Sequence, residues 1–243
     1  MKSLFIVLEA VSLVLVVYGI DTTPKNTLEE SLLSLLTQWR AGDRGPFSFP
    51  FPSLDEIKIP AVSGNYEGYG AKISYETTEL KLVGLKNFSV ASLDASEASL
   101  KASGTITIPV LTLSADKYTI QGRALWFIPV NGSGKMRIDF GNNQLTFSIR
   151  LRSNSSSTWV DTLQLAFSVG SLKASLENGP AAITTILNNS GVSIIQSNHD
   201  AIVKMVRNLI LPVINNFLAG LTPEQLLQTI AGNGTIAPNA VRV

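Results

Sequence analysis

The chain has 243 residues, 45% of them hydrophobic and 15% charged, with a formal net charge of +1. That length fits one generous domain or two small ones, and the near-neutral charge excludes nucleic acid, which needs a concentrated basic surface. One histidine and no cysteine exclude thiol catalysis and thiolate metal ligands and leave too few groups for a transition-metal centre.

Residues 1–19 read as a secretory signal, with Lys2 as the basic start, Leu4 to Val17 as the apolar stretch and small residues ending in Gly19 at the cleavage point. Glu9 interrupts the apolar run, which is also short for a spanning anchor. The mature chain, 20–243, is then a single extracellular domain. Acceptor sequons at Asn87, Asn131, Asn154, Asn188 and Asn233 fit that address and are expected to carry glycan.

Asn26 with Glu29 three residues on is a capping pattern. Leu28, Leu32, Leu35, Leu36 and Trp39 follow on one face of a helix that Ala41 to Pro46 ends. This helix either packs on a sheet or forms a lid over a cavity. Prolines 46, 50, 52 and 60 then fix an extended crossing segment, with Phe47, Phe49 and Phe51 on one side.

From Tyr66 to Leu176 apolar and polar residues alternate, as in Ile73–Tyr75, Leu80–Leu82, Ile106–Ile108, Leu125–Phe127, Met136–Phe140, Leu145–Leu151 and Leu163–Val169. Turn chemistry falls at Ala115-Asp116-Lys117, Asn131 to Gly134, Gly141-Asn142-Asn143 and Asn154-Ser155-Ser156. Short strands so spaced predict an antiparallel meander with one apolar face.

Gly179-Pro180 opens a short helix through Leu187. The longest helical signal runs from Ser193 to Ala219, with Ile202, Met205, Val206, Leu209, Ile210, Val213, Ile214 and Phe217 on one face. Pro212 predicts a kink within it. Thr222 with Gln225 starts a last helix that Gly232 ends. A stripe this long must be covered, and a sheet is the large element available. The fold expected is α+β: a long, curved antiparallel sheet wrapped on a long C-terminal helix, with an N-terminal helix beside it.

No nucleophile elbow, metalloprotease helix or phosphate loop occurs. His199 stands next to Asp200, but neighbouring helical residues diverge, so His199 reads as a polar cap residue. Neither catalysis nor a cofactor is expected.

The order of several motifs resembles the insect Takeout and haemolymph juvenile-hormone-binding family. The stretch Tyr118 to Gly122, then Ala124-Leu125-Trp126-Phe127-Ile128-Pro129-Val130, then Gly132-Ser133-Gly134 matches its central pattern. Gly84-Leu85 matches an earlier step, and Pro52 to Asp55 its proline-rich lead-in, with Glu56 where the family usually has proline. Ile186 to Asn189, Asn198 and Leu211-Pro212-Val213 resemble its C-terminal helix pattern. Mite group 7 allergens are a second match. The resemblance implies a TULIP-type fold with an apolar tunnel. It also implies an N-terminal disulfide that this chain, without cysteine, does not have.

The functional expectation is a secreted carrier of a small lipophilic ligand such as a terpenoid or fatty acid, held by apolar burial. The alternative is a protein that binds membrane or bacterial lipids through exposed apolar surface. Candidate lining residues are Leu32, Leu36 and Trp39 on the first helix, Phe127 and Met136 on the strands, and Met205, Leu209 and Phe217 on the long helix.

Overall fold

The computed structural model describes residues 22–42, 53–68, 70–124 and 127–231. The signal-like segment, the three phenylalanines at 47, 49 and 51, Leu125 and the tail with Asn233 lie outside these residues. Helix α1 spans Thr27–Ala41, α2 Ala181–Ser197, α3 His199–Leu218 and α4 Pro223–Ile230. Nine strands form one antiparallel sheet.

The sheet is built on two unusually long strands, β6 (Lys101–Ala124) and β7 (Ile128–Ser153), paired along nearly their whole length. Short strands tile the outer edges end to end. Along β6 lie β5 (Ser89–Ser96), β4 (Leu80–Val83) and β3 (Ala71–Thr77). Along β7 lie β8 (Thr158–Ser168) and β9 (Ser171–Leu176). Outermost, β1 (Glu56–Ile59) pairs with β4 and β2 (Ser63–Gly68) with β3. Drawn straight, β7 would reach roughly 85 Å at about 3.3 Å per residue, too far for a domain of this size. Bulges bend the sheet instead, between Val90 and Ser92, Ala115 and Tyr118, and Arg150 and Leu151.

This corrects the expected meander. Ala115-Asp116-Lys117 is a bulge inside β6, and Asn131 to Gly134 and Gly141-Asn142-Asn143 lie within β7. Glycine, asparagine and aspartate are the turn residues because they accept unusual backbone angles, and a coiled strand needs the same tolerance. Asn142 has φ 53° in mid-strand, opposite Pro109, which has no N–H to give. There the neighbour of β7 changes from β8 to β9, and the Gly170 N–H turns inward to the carbonyls of Gly141 and Asn142 at 3.0 and 3.2 Å. Asn143 bridges the break, donating Nδ2 to the carbonyls of Ile108 (3.1 Å) and Phe140 (2.8 Å). Asn154 to Ser156 is a true turn, closed by Asn154 Oδ1 accepting the amides of Ser156 and Ser157.

The helices hold the sheet by a repeated device. Strands β5, β8 and β9 each pair on one side only, and helical side chains accept amides from the free side. Glu29 takes the Ala95 N–H (3.1 Å), Asn188 that of Ala174 (2.6 Å), Asn215 that of Val160 (2.8 Å) and His199 that of Phe167 (3.4 Å). Asn26 and Asn188 also donate to the carbonyls of Ala95 and Ala174. These are the hydrogen bonds that another strand would have made.

Asn26 caps α1 as expected, accepting from the Glu29 amide, but Glu29 reaches back to the Lys25 N–H rather than to that of Asn26. The most buried residues of α1 are Glu29 and Leu33, so the packed face is turned from the expected leucine stripe. The break between α2 and α3 falls at Asn198, which makes α2 longer than the sequence suggested. Pro212 lies inside α3. The box at Thr222 and Gln225 is complete.

Two core clusters result. One gathers Leu33, Leu54, Phe88, Val90, Leu93 and Ile108 under α1. The other gathers Ala71, Tyr118, Ile120, Ala124, Val130 and Ile183 under α2. Gly122, with φ 153°, leaves the space into which the backbone of Lys72 and Ile73 closes, so a side chain there would collide with β3.

Candidate functional site

Two apolar cavities lie between helices and sheet. The first, about 220 Å³, is framed by Leu28, Leu32 and Leu35 of α1, Ile149 and Leu151 of β7, and Val213, Ile214 and Phe217 of α3, with Leu226 and Ile230 of α4 closing it. Its polar residues are Ser96, Glu97 and Lys101, where β5 turns into β6. The second, about 320 Å³, lies between Ile183, Ile186, Leu187 and Ile194 of α2 and Ile73, Ile120, Met136, Ile138 and Leu176 of the sheet. Tyr66, Tyr75, Tyr118, Glu76 and Thr77 complete a lining that is almost wholly apolar.

The cavities share no lining residue. From Ala102 in one to Tyr118 in the other is roughly 50 Å of strand. On the stretch of β6 between, Ile108 belongs to the first core cluster, and Ile106 and Leu111 pack against it. Pockets for small lipophilic molecules run from about 300 to 1,000 Å³, so each cavity suits a compact ligand or one segment of a longer one.

The Tyr118 hydroxyl donates to the Glu177 carbonyl at 2.9 Å, and burial, with the Glu177 charge second, raises its pKa. It therefore stays protonated as a donor at neutral pH. Asp139 on β7 is held below the usual carboxylate range by hydrogen bonds from Arg137 and then from Thr112.

The expected lining residues separate. Leu32 and Phe217 border the first cavity and Met136 the second. Leu36 and Trp39 line neither cavity and pack against the first core cluster, as Leu32 also does. Phe127, at the tip between β6 and β7, is 76% exposed, and Met205 and Leu209 are 58% and 67% exposed on the outer side of α3, so these three lie outside both cavities. Of the expected stripe on α3, Ile202, Ile210, Ile214 and Phe217 are shielded, together with Val203, Leu211 and Leu218, whereas Met205, Val206, Leu209 and Val213 are exposed. Sequence reasoning missed the α2 and α4 lining altogether, although Ile183, Ile186, Leu187 and Ile194 repeat at helical spacing.

His199 and Asp200 do meet, with Nδ1 3.0 Å from Oδ1, because no preceding turn of α3 constrains its first side chains. The ring also stacks on Phe167 at 5.0 Å. Nε2, accepting the Phe167 N–H, docks α3 on β8, while Nδ1 is taken up by Asp200 on α3 itself. Asn87, Asn131 and Asn154 are exposed. The Asn188 amide is engaged with Ala174 and would give up those bonds to carry a glycan.

One bent antiparallel sheet with apolar cavities beneath its helices is the TULIP-like fold that was expected. The sequence pattern of the family described as "Haemolymph juvenile hormone binding protein (JHBP)" matches residues 21–228. The chain belongs to that family. Among solved structures, it is similar to Takeout 1 of Epiphyas postvittana at 16% identity and TM-score 0.58, over 79% of this chain and 92% of that one. A lipopolysaccharide binding protein aligns at 14% identity and TM-score 0.41, over 76% of this chain and 37% of that one. No curated protein matches the sequence.

Proposed function

We propose that the protein is a secreted, non-catalytic carrier that holds a small lipophilic molecule, such as a terpenoid or fatty acid, in the apolar cavities beneath its helices. The observation that carries this reading is the lining itself: large aliphatic side chains from facing elements that stop short of filling the space between them. Ligand burial supplies affinity at about 25 cal/mol per Å² of apolar area, less the cost of association. Lys101 and Glu97 border the first cavity and Tyr66, Tyr75, Tyr118 and Glu76 the second, but both linings are almost wholly apolar, so apolar burial carries the affinity.

The test separates lining from core. Leu33→Ala, in the core, is expected to cost about 2–5 kcal/mol through the hole it leaves. Leu32→Ala, Phe217→Ala and Met136→Ala enlarge a space already present, so each should lower the melting temperature less. At least two should weaken a fluorescent fatty-acid or terpenoid probe about tenfold, or roughly 1.4 kcal/mol. If every substitution destabilises and none changes probe binding selectively, the carrier reading fails.

A further inference from the structure

The outward face of α3 carries a second message. Met205, Leu209 and Val213 follow at steps of four, with Val206 beside them, and all four are exposed. Exposed apolar residues are ordinary when scattered; a row along one helix is a surface for something. Between Asp200 and Leu218 the charged residues are Lys204 and Arg207, both basic and exposed, and neither forms an ion pair among the described residues. Helix α2 has no charged residue at all, so Asp200, already engaged by His199, is the sole carboxylate on the two helices. A second copy meeting this face through the same helices would bring no free carboxylate to the basic pair. An anionic lipid surface would supply both an apolar layer and negative charge.

The helix is long and apolar enough to cross a bilayer by length and composition. It is, however, tied to β8 near both ends, by His199 to Phe167 and by Asn215 to Val160. A helix so held can lie in the membrane interface but cannot span it without leaving the sheet. Val213 belongs to the exposed row and also lines the first cavity, so the surface and the cavity adjoin at one residue. We propose that the outer face of α3 docks on anionic bilayers, with Met205 and Leu209 entering the boundary between head groups and chains, so that a lipophilic ligand passes between bilayer and first cavity beside Val213. The docking step stands on the surface alone; the transfer step rests on the carrier reading.

Sedimentation with vesicles tests it. The whole protein should bind phosphatidylcholine vesicles containing about one-third phosphatidylserine severalfold better than pure phosphatidylcholine, each basic residue contributing roughly fivefold. The pair Met205→Ser and Leu209→Ser should bind at least about tenfold more weakly, and Lys204→Glu with Arg207→Glu should erase the preference for phosphatidylserine. These four side chains line neither cavity, so both variants should keep wild-type probe affinity in vesicle-free buffer and an unchanged melting temperature. Absence of vesicle binding, equal binding to both vesicle types, or wild-type sedimentation by either variant overturns the docking proposal. So does a wild-type dimer that the serine variant dissociates, with no vesicle binding. Vesicle binding as described, with no probe bound by the wild type, supports docking and sinks the carrier reading instead.

Discussion

A carboxylate with 2% exposure needs partners, and Glu29 finds them in two backbone amides, Lys25 at 2.6 Å and Ala95 at 3.1 Å. An ionised carboxylate is acceptor-only, whereas a carboxamide presents one oxygen and two N–H donors. Glu29→Gln would therefore set a donor against a donor at one of the two contacts. Unfolding in urea should show a loss of about 1–3 kcal/mol, close to that of Glu29→Ala. A glutamine variant as stable as wild type would mean that the two amides do not need an anion. The capping signal from Asn26 to Glu29 was legible because caps depend on residue spacing alone. That the same glutamate also reaches β5 was not, since Ala95 is distant in sequence and one glutamate in a first turn looks like any other.

At the scale of elements, the alternation of apolar and polar residues was legible, but the division into strands was not. The signals for a hairpin and for a mid-strand bend are the same residues, and only long-range pairing chooses between them. At the middle of β7 that choice leaves a break, with Asn142 at φ 53° facing Pro109. Asn143→Ala would remove the donor that the Ile108 and Phe140 carbonyls receive and should cost about 1–3 kcal/mol in chemical denaturation. If the loss is under about 0.5 kcal/mol, the bridge is incidental. The sequence also located α3 well but showed its inner face only in part: Ile202, Ile210, Ile214 and Phe217 are shielded, while Met205, Val206, Leu209 and Val213 are exposed. The apolar stripe on α3 is wider than the contact, and periodicity does not say which part of a wide stripe the sheet takes.

For the whole molecule, the ordered motifs of the family resemblance made the fold legible, and the pattern of that family matches most of the chain. The site was legible only in kind. Cavity lining depends on which apolar residues fail to touch a neighbour, a property of assembled elements. Leu32, Phe217 and Met136 were identified from size and position, while Phe127, Met205 and Leu209 satisfied the same criteria on the outside. With the cavities at opposite ends of the long hairpin, Leu32→Ala and Met136→Ala should act on stability independently. Melting curves of the double variant should give the sum of the single effects within about 0.5 kcal/mol. A larger discrepancy would show that the two ends are mechanically coupled.

The amides of β5, β8 and β9 that donate to helical side chains have a further consequence, for solubility. An unpaired strand edge is a template on which another copy of the chain can continue the ladder, and such growth has no natural end. Here the guard over that edge is a handful of polar atoms on α1, α2 and α3. Any opening that lifts one of these helices to admit a ligand uncovers a growing end as well as a cavity. A route for ligand that leaves the helices seated, between side chains rather than beneath a raised helix, keeps the protein a carrier and not the seed of a fibre.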